Sequence, residues 1–192
     1  MVKKEISARA LASELHGMLI GGFFLMAVFG VIVELFRSKY VKQPSELTAR
    51  GNSLKRFYLF ATVALGWIAV LLGAYIVYPW YRAIPPAGVA SLAGYPQRLL
   101  LARPGTSGWH RDGMEWKEHV GWFAPIAITM VAYVMAKQRQ VMKSFPQIRT
   151  AVLVFALVAL VSGGIAGFFG AMIDNHAPVK GGSTIHFVSE GQ

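Results

Sequence analysis

LHGMLIGGFFLMAVFGVIVELF, residues 15–36, is a long apolar run that contains one carboxylate, Glu34, and no lysine or arginine. A helix needs roughly 20 apolar residues to cross the hydrocarbon core of a bilayer, which is about 30 Å thick. Three further apolar runs follow, at residues 57–81, 120–136 and 151–173. The sequence therefore predicts four membrane spans.

The four runs are continuous rather than alternating, which favours helices over the strands of a membrane barrel. We expect an all-α fold, in which residues 1–176 form one four-helix transmembrane bundle without a separate soluble domain. The long second loop contains several glycines and prolines and is expected to fold over the bundle or to dock on a partner. The C-terminal tail, residues 177–192, is expected to be flexible or held by a partner.

The formal net charge of +10 could indicate nucleic-acid binding, but the distribution of the charge argues against it. Basic residues crowd the two short loops that lie on one side of the bundle: Arg37, Lys39, Lys42, Arg50, Lys55, Arg56, Lys137, Arg139, Lys143 and Arg149. The positive-inside rule makes that side cytoplasmic. Both termini are then extracytoplasmic, and a bacterial cytoplasmic membrane is the expected location.

All five histidines are predicted on the same, outer side of the membrane: His16, His110, His119, His176 and His186. An even number of spans separates these positions, so the prediction holds for either orientation. The chain contains no cysteine, which excludes disulfides, thiolate metal sites and cysteine-ligated clusters. The histidines are therefore the candidate ligands for a cofactor.

His16 and His119 open the first and third spans, which run parallel in an alternating bundle, so they should lie at similar depth. A b-type haem takes axial imidazoles from side chains that project from neighbouring helices. Gly17 and Gly121 would leave room for a flat ring, and Trp122 could pack against it. The pattern predicts one haem site at the outer ends of these two helices.

The plan of four spans, with His16-Gly17 and His119 followed by Gly121-Trp122, resembles the four-helix membrane b-type cytochromes that anchor or connect redox enzymes. The resemblance implies haem b and electron transfer between a membrane quinol and an extracytoplasmic redox partner. It further implies a subunit of a respiratory or photosynthetic complex that is not catalytic alone. The common two-haem members distribute four histidines over both membrane sides, whereas the inner half here has none, which leaves at most an outer haem.

Two other ligands remain open at this stage, a pigment and a non-haem metal ion. His110, Glu115 and His176 combine imidazole and carboxylate groups near the outer surface, a ligand set that suits iron, copper or zinc. Such a site would require these three side chains to converge.

The alternative function is a cofactor-free structural or assembly subunit of a large membrane complex. The second loop and the tail would then dock on the other subunits. A transporter or channel is disfavoured, because no pair of interrupted helices is present. Glu34 is an acid near a span interior, and Arg37 three residues later predicts a local ion pair rather than a proton path.

Overall fold

The structure is a computed structural model that describes residues 5–40 and 49–186. Four of its helices are long and apolar enough to cross a membrane, and we call them the first to fourth spans: Ala8–Ser38, Gly51–Tyr81, Pro104–Lys137 and Pro146–His176. The predicted all-α, four-helix transmembrane fold is confirmed. The chain is therefore an integral membrane protein.

Three of the spans contain a π-helical turn. The helical segments are, in chain order, Ala8–Glu14, Leu15–Gly21 (π), Gly22–Tyr40, Ala49–Leu72, Gly73–Val77 (π), Tyr78–Tyr81, Pro96–Leu101, Pro104–Gly108, Trp109–Met114 (π), Glu115–Val120, Phe123–Lys137, Arg139–Ser144 and Pro146–His176. All three π-helical turns lie towards the end of the bundle that carries both described chain ends, which we call the outer end. Turns of this kind occur frequently at functional sites.

Each span packs against its neighbour in sequence, and the fourth span also packs against the first. The first and third spans therefore occupy opposite corners of the bundle. The core contains apolar side chains from all four helices, among them Val28, Leu59, Ile128, Val131 and Ala156. Ala156 and Ala159 are fully buried, and their small size lets the fourth helix approach its neighbours closely.

A second apolar cluster joins the loop after the second span to the outer end of the bundle. Leu100, on the short helix Pro96–Leu101, packs with Tyr81 of the second span and Ile173 of the fourth. Leu100 and Tyr81 are 1% and 2% exposed. We call the segment from residue 82 to residue 111 the outer cap, because this cluster fixes it onto the bundle.

The first part of the predicted flexible tail is held by the chain itself. Ala177 and Val179 are buried, and the strand Thr184–His186 pairs antiparallel with the strand Glu5–Ser7. Gly181 and Gly182 adopt positive φ angles in the turn before this strand, a conformation that glycine adopts without steric cost. Residues 187–192 lie outside the described part of the chain.

The third span is longer than its predicted range, residues 120–136. Its helix already begins at Pro104 and includes the polar stretch from Arg111 to Glu118. Hydropathy detects only the apolar second half of this helix, because the first half is polar although it is helical.

The inner ends of the first two spans are joined by an ion pair. Lys55 Nζ lies 2.8 Å from Glu34 Oε1, and both side chains are about one-third exposed. Glu34, which was expected to pair with Arg37 on its own helix, thus binds Lys55 of the second span.

Candidate cofactor site at the outer ends of the spans

His16 and His119 both lie towards the outer end of the bundle, and the residues around Gly163 give their relative depth. A Cβ atom at Gly163 of the fourth span would contact Phe24 at 3.1 Å and Ala124 at 3.7 Å, so those two residues are level with one another. His16 precedes Phe24 by eight residues and His119 precedes Ala124 by five. The two histidines therefore differ in depth by about one helical turn, or ~5 Å.

The His16 imidazole is enclosed between the first and second spans. A Cβ atom at Gly73 would lie 2.7 Å from His16 Cε1 and 3.0 Å from Nε2, so the ring occupies space that only a glycine leaves open. The ring also forms a hydrogen-bond contact with the backbone of Ala69. Its Nδ1 atom is buried and has no hydrogen-bond partner among the described residues. Both His16 and Gly73 lie in π-helical turns.

His119 has a different environment, because its side chain is exposed on the outside of the bundle. Its Nδ1 donates a hydrogen bond to the carbonyl oxygen of Glu115, over 2.7 Å. This bond fixes the tautomer in which Nε2 carries no proton. Histidines that bind metals usually donate their second ring nitrogen in the same way. The arrangement leaves His119 Nε2 ready to accept a bond from outside the chain.

An apolar groove of about 540 Å³ lies between the third and fourth spans on the side of His119. Its walls are aromatic and aliphatic, and its residues are Trp116, Val161, Gly164, Ile165, Phe168 and Phe169. His119 follows Trp116 by three residues, and residues at that spacing share one side of a helix. No atom lies within 4 Å of a Cβ built at Gly164, so this part of the groove is open.

A second groove of about 400 Å³ continues along the same two helices towards the inner end. Phe123, four residues beyond His119, opens it, and Tyr133 and Phe155 lie deeper. The residues that line the two grooves include no lysine, arginine, aspartate or glutamate. His119 therefore lies at the outer end of an outward-facing stripe of the third span that is apolar beyond it, with Glu115 one turn before it.

The structure places the other three residues predicted to surround a ring in three separate environments. Gly17 is exposed, and a Cβ atom there would meet nothing within 4 Å. Gly121 faces the bundle, because a Cβ there would lie 2.7 Å from the Lys117 carbonyl oxygen and 3.7 Å from Ala166. Trp122 packs edge-on against Trp67 of the second span, with ring centroids 6.4 Å apart.

The described residues contain no group of three histidine, aspartate or glutamate side chains that could hold a metal ion. Nδ1 of His110 lies 2.7 Å from the Tyr81 hydroxyl, and its Nε2 lies 3.1 Å from the Gln97 amide nitrogen. His176 stacks on Trp109 and donates from Nδ1 to the Met172 carbonyl oxygen. Within the described ranges, the side chains of His110, Glu115 and His176 therefore do not form the alternative metal site.

Sequence analysis did not single out Lys117, which points into the bundle at the level of these histidines. A Cβ atom at Gly170 of the fourth span would lie 3.2 Å from Lys117 Nζ. The carboxylates of Asp174 and Glu118 interact electrostatically with the Lys117 ammonium group. The charge of Lys117 in turn interacts electrostatically with His16. Residues 117 and 119 project to different sides of one helix. The lysine thus faces the interior while His119 faces outwards.

Arg82 and Tyr78 form a cation–aromatic contact where the second span meets the outer cap. Arg82 donates a hydrogen bond from its guanidinium to the Tyr78 hydroxyl over 2.8 Å and lies over the same aromatic ring. The hydrogen bond with Tyr78 raises the pKa of the Arg82 guanidinium above its ordinary value. Arg82 is therefore a permanent cation at this boundary.

No protein-family model, no curated protein sequence and no solved structure matches this chain.

Proposed function

We propose that this chain is an electron-transfer subunit of a respiratory or photosynthetic membrane complex and that His119 binds a b-type haem at a subunit interface. The complex would lie in a bacterial cytoplasmic membrane, with the histidines on the extracytoplasmic side. The haem, when bound, would supply one-electron transfer between a membrane quinol and an extracytoplasmic redox partner.

The observation that carries this proposal is the position of His119 beside the larger groove. His119 is an exposed imidazole where the polar start of the third span meets its apolar stripe, and ionisable residues in spans commonly mark functional sites. The hydrogen bond to Glu115 holds the ring with Nε2 outermost. Trp116 and Phe168 offer flat apolar walls, and Gly164 leaves space between them. This apolar, partly aromatic lining would suit the flat surface of a haem, and His119 would supply a ligand to its iron.

His16 does not join His119 at this groove in the conformation described. Its ring fills the notch at Gly73, between the first and second spans, whereas the groove lies between the third and fourth. We therefore propose that this chain supplies one axial ligand, His119, and that a neighbouring subunit completes the site. This differs from the sequence-based expectation of a haem bridged by His16 and His119 of one chain.

The test is an absorption spectrum of the intact complex purified from its native membrane. We expect a reduced b-type spectrum that is lost in His119→Ala. His176→Ala is the comparison, because His176 makes the same 2.7 Å bond from Nδ1 to a carbonyl oxygen four residues earlier but stacks on Trp109. If the complex instead shows a chlorophyll-type spectrum that is lost in His119→Ala, the bound group is a pigment rather than a haem. A spectrum unchanged in His119→Ala would refute the proposed ligand.

A second candidate function is a structural subunit without a cofactor of its own. The enclosed packing of His16 against Gly73 favours it, because this histidine then serves helix association rather than ligand binding. Co-migration of the chain with a large complex, together with identical spectra for complexes with and without the His119→Ala change, would establish this alternative.

A further inference from the structure

The outer cap carries an unusual charge for its side of the membrane. Between Arg82 and Arg111 the sequence contains four arginines and no aspartate or glutamate. The positive-inside rule explains the basic residues of the two short loops at the opposite end of the bundle. It does not explain a second group of arginines on the outer side, which the acids Asp112, Glu115 and Glu118 follow in sequence, so these arginines require another reason.

The cap presents these arginines on an ordered surface. The helix Pro96–Leu101 is anchored by Leu100 and by Gln97, which is 7% exposed and bonds to His110. The helices Pro104–Gly108 and Trp109–Met114 pack against it and against one another. A surface fixed in this way loses little conformational entropy when a partner binds.

Three of the four arginines are free to bind a partner. Arg82 uses its guanidinium on Tyr78, whereas Arg98, Arg103 and Arg111 are exposed. The single ion pair within the described ranges joins Lys55 and Glu34, so none of these three guanidinium groups is paired there. Asp112 and Glu115 follow Arg111 in sequence without approaching an arginine within 4 Å.

We propose that Arg98, Arg103 and Arg111 form a docking surface for the acidic face of a water-soluble protein. The planar guanidinium group binds carboxylates with two parallel hydrogen bonds, which favours arginine over lysine at such surfaces. An excess of one charge also steers an oppositely charged partner towards the membrane-bound site. The inference deepens the proposed function, because it assigns the chemistry of the extracytoplasmic redox partner, but the docking surface is testable without a cofactor.

The test uses the full chain in liposomes of zwitterionic lipid, with the cap facing outwards so that the inner basic loops are enclosed. The probe is fluorescently labelled poly-L-glutamate. We expect salt-sensitive binding that weakens about tenfold in the Arg98→Gln, Arg103→Gln, Arg111→Gln triple variant, since exposed ion pairs each contribute a few-fold. Lys180→Gln is the control, because Lys180 is exposed outside the cap. It should bind like the unaltered chain, whereas Arg103→Gln alone should already weaken binding.

Equal affinity of the triple variant and the unaltered chain would overturn the proposal. Vesicles of phosphatidylglycerol test anionic lipid as an alternative partner for the arginines. If the three substitutions reduce vesicle binding but not poly-L-glutamate binding, the cap contacts lipid and the protein-docking proposal is wrong. Circular dichroism and the single variants guard against misfolding of the triple variant. The absorption spectrum tests the cofactor separately, so either proposal can fail while the other stands.

Discussion

The hydroxyl group of Tyr81 lies 2.7 Å from Nδ1 of His110, and this contact ties the end of the second span to the start of the third. Gln97 of the outer cap approaches the other ring nitrogen of His110 at 3.1 Å. The Gln97 amide nitrogen can only donate, so Nε2 of His110 accepts from it and Nδ1 donates to the Tyr81 hydroxyl, which satisfies both nitrogens of the imidazole. One side chain thus joins three separate parts of the outer end.

Replacing Tyr81 with phenylalanine should lower the free energy of unfolding by about 1 kcal/mol, because the half-buried His110 ring loses a hydrogen-bond partner. The measurement is denaturant unfolding in a mild detergent, followed by circular dichroism. Tyr75→Phe is the control, because Tyr75 is 72% exposed on the same span. A loss of equal size in both variants would show that the contact with His110 contributes nothing specific.

Gly73→Ala should destabilise the protein by roughly 1–3 kcal/mol, because the new methyl group would overlap the His16 ring. Gly22→Ala is the matched control, since a Cβ atom at Gly22 meets nothing within 4 Å. Alanine favours a helix over glycine, so the control should be neutral or slightly more stable. Midpoints of thermal unfolding measure both effects.

The same clash predicts an interaction between two substitutions. In a His16→Ala background, Gly73→Ala should cost almost nothing, because the side chain that opposed the methyl group has gone. A double-mutant cycle measures this coupling directly. Additive effects would mean that His16 does not occupy the notch at Gly73.

Lys55→Met should reduce stability by at most about 1 kcal/mol, the usual range for a partly exposed ion pair. The physical reason is the loss of the 2.8 Å contact with Glu34 between the first two spans. Lys137→Met is the comparison, because Lys137 is exposed at the inner end of the third span. We expect high salt to diminish the difference between the two variants, and a salt-independent difference would contradict an electrostatic origin.

Gly182→Ala should weaken the strand pair that joins the described chain ends. Gly182 has a φ angle of 80°, and an L-residue in this conformation costs roughly 1–2 kcal/mol. Faster amide hydrogen exchange in Glu5–Ser7 and Thr184–His186 measures the effect. Gly94→Ala should leave those amides unchanged, because Gly94 lies in the outer cap without a positive φ angle.

Hydropathy was sufficient to predict the four helices and the outer position of the histidines along the chain. It could not predict the full third helix, whose first half is too polar to resemble a span. The strands at residues 5–7 and 184–186 were also missed, because three residues contain no usable periodicity. Their pairing depends on the bundle, which brings the two segments together.

The relation between His16 and His119 shows a different limit. Sequence position predicted that both histidines lie near the outer end of the bundle, because depth follows from counting residues along parallel helices. The His16 ring and the glycine that it packs against lie in the π-helical turns Leu15–Gly21 and Gly73–Val77, in which side chains are rotated relative to a regular helix. Gly73 offered one sequence signal, a glycine within an apolar span, but its partner could be identified only from the packed structure.

Because Glu5 lies opposite His186 in the strand pair, a linker of a few residues could close the polypeptide into a ring. Opening that ring at Gln138, between the helices that end at Lys137 and begin at Arg139, would create a circular permutant. Its new ends would both emerge at the inner surface, and its spans would enter the membrane in the order fourth, first, second, third. Such a permutant would show whether the bundle requires its spans to be inserted in the native order, or whether the contacts between the finished helices are sufficient.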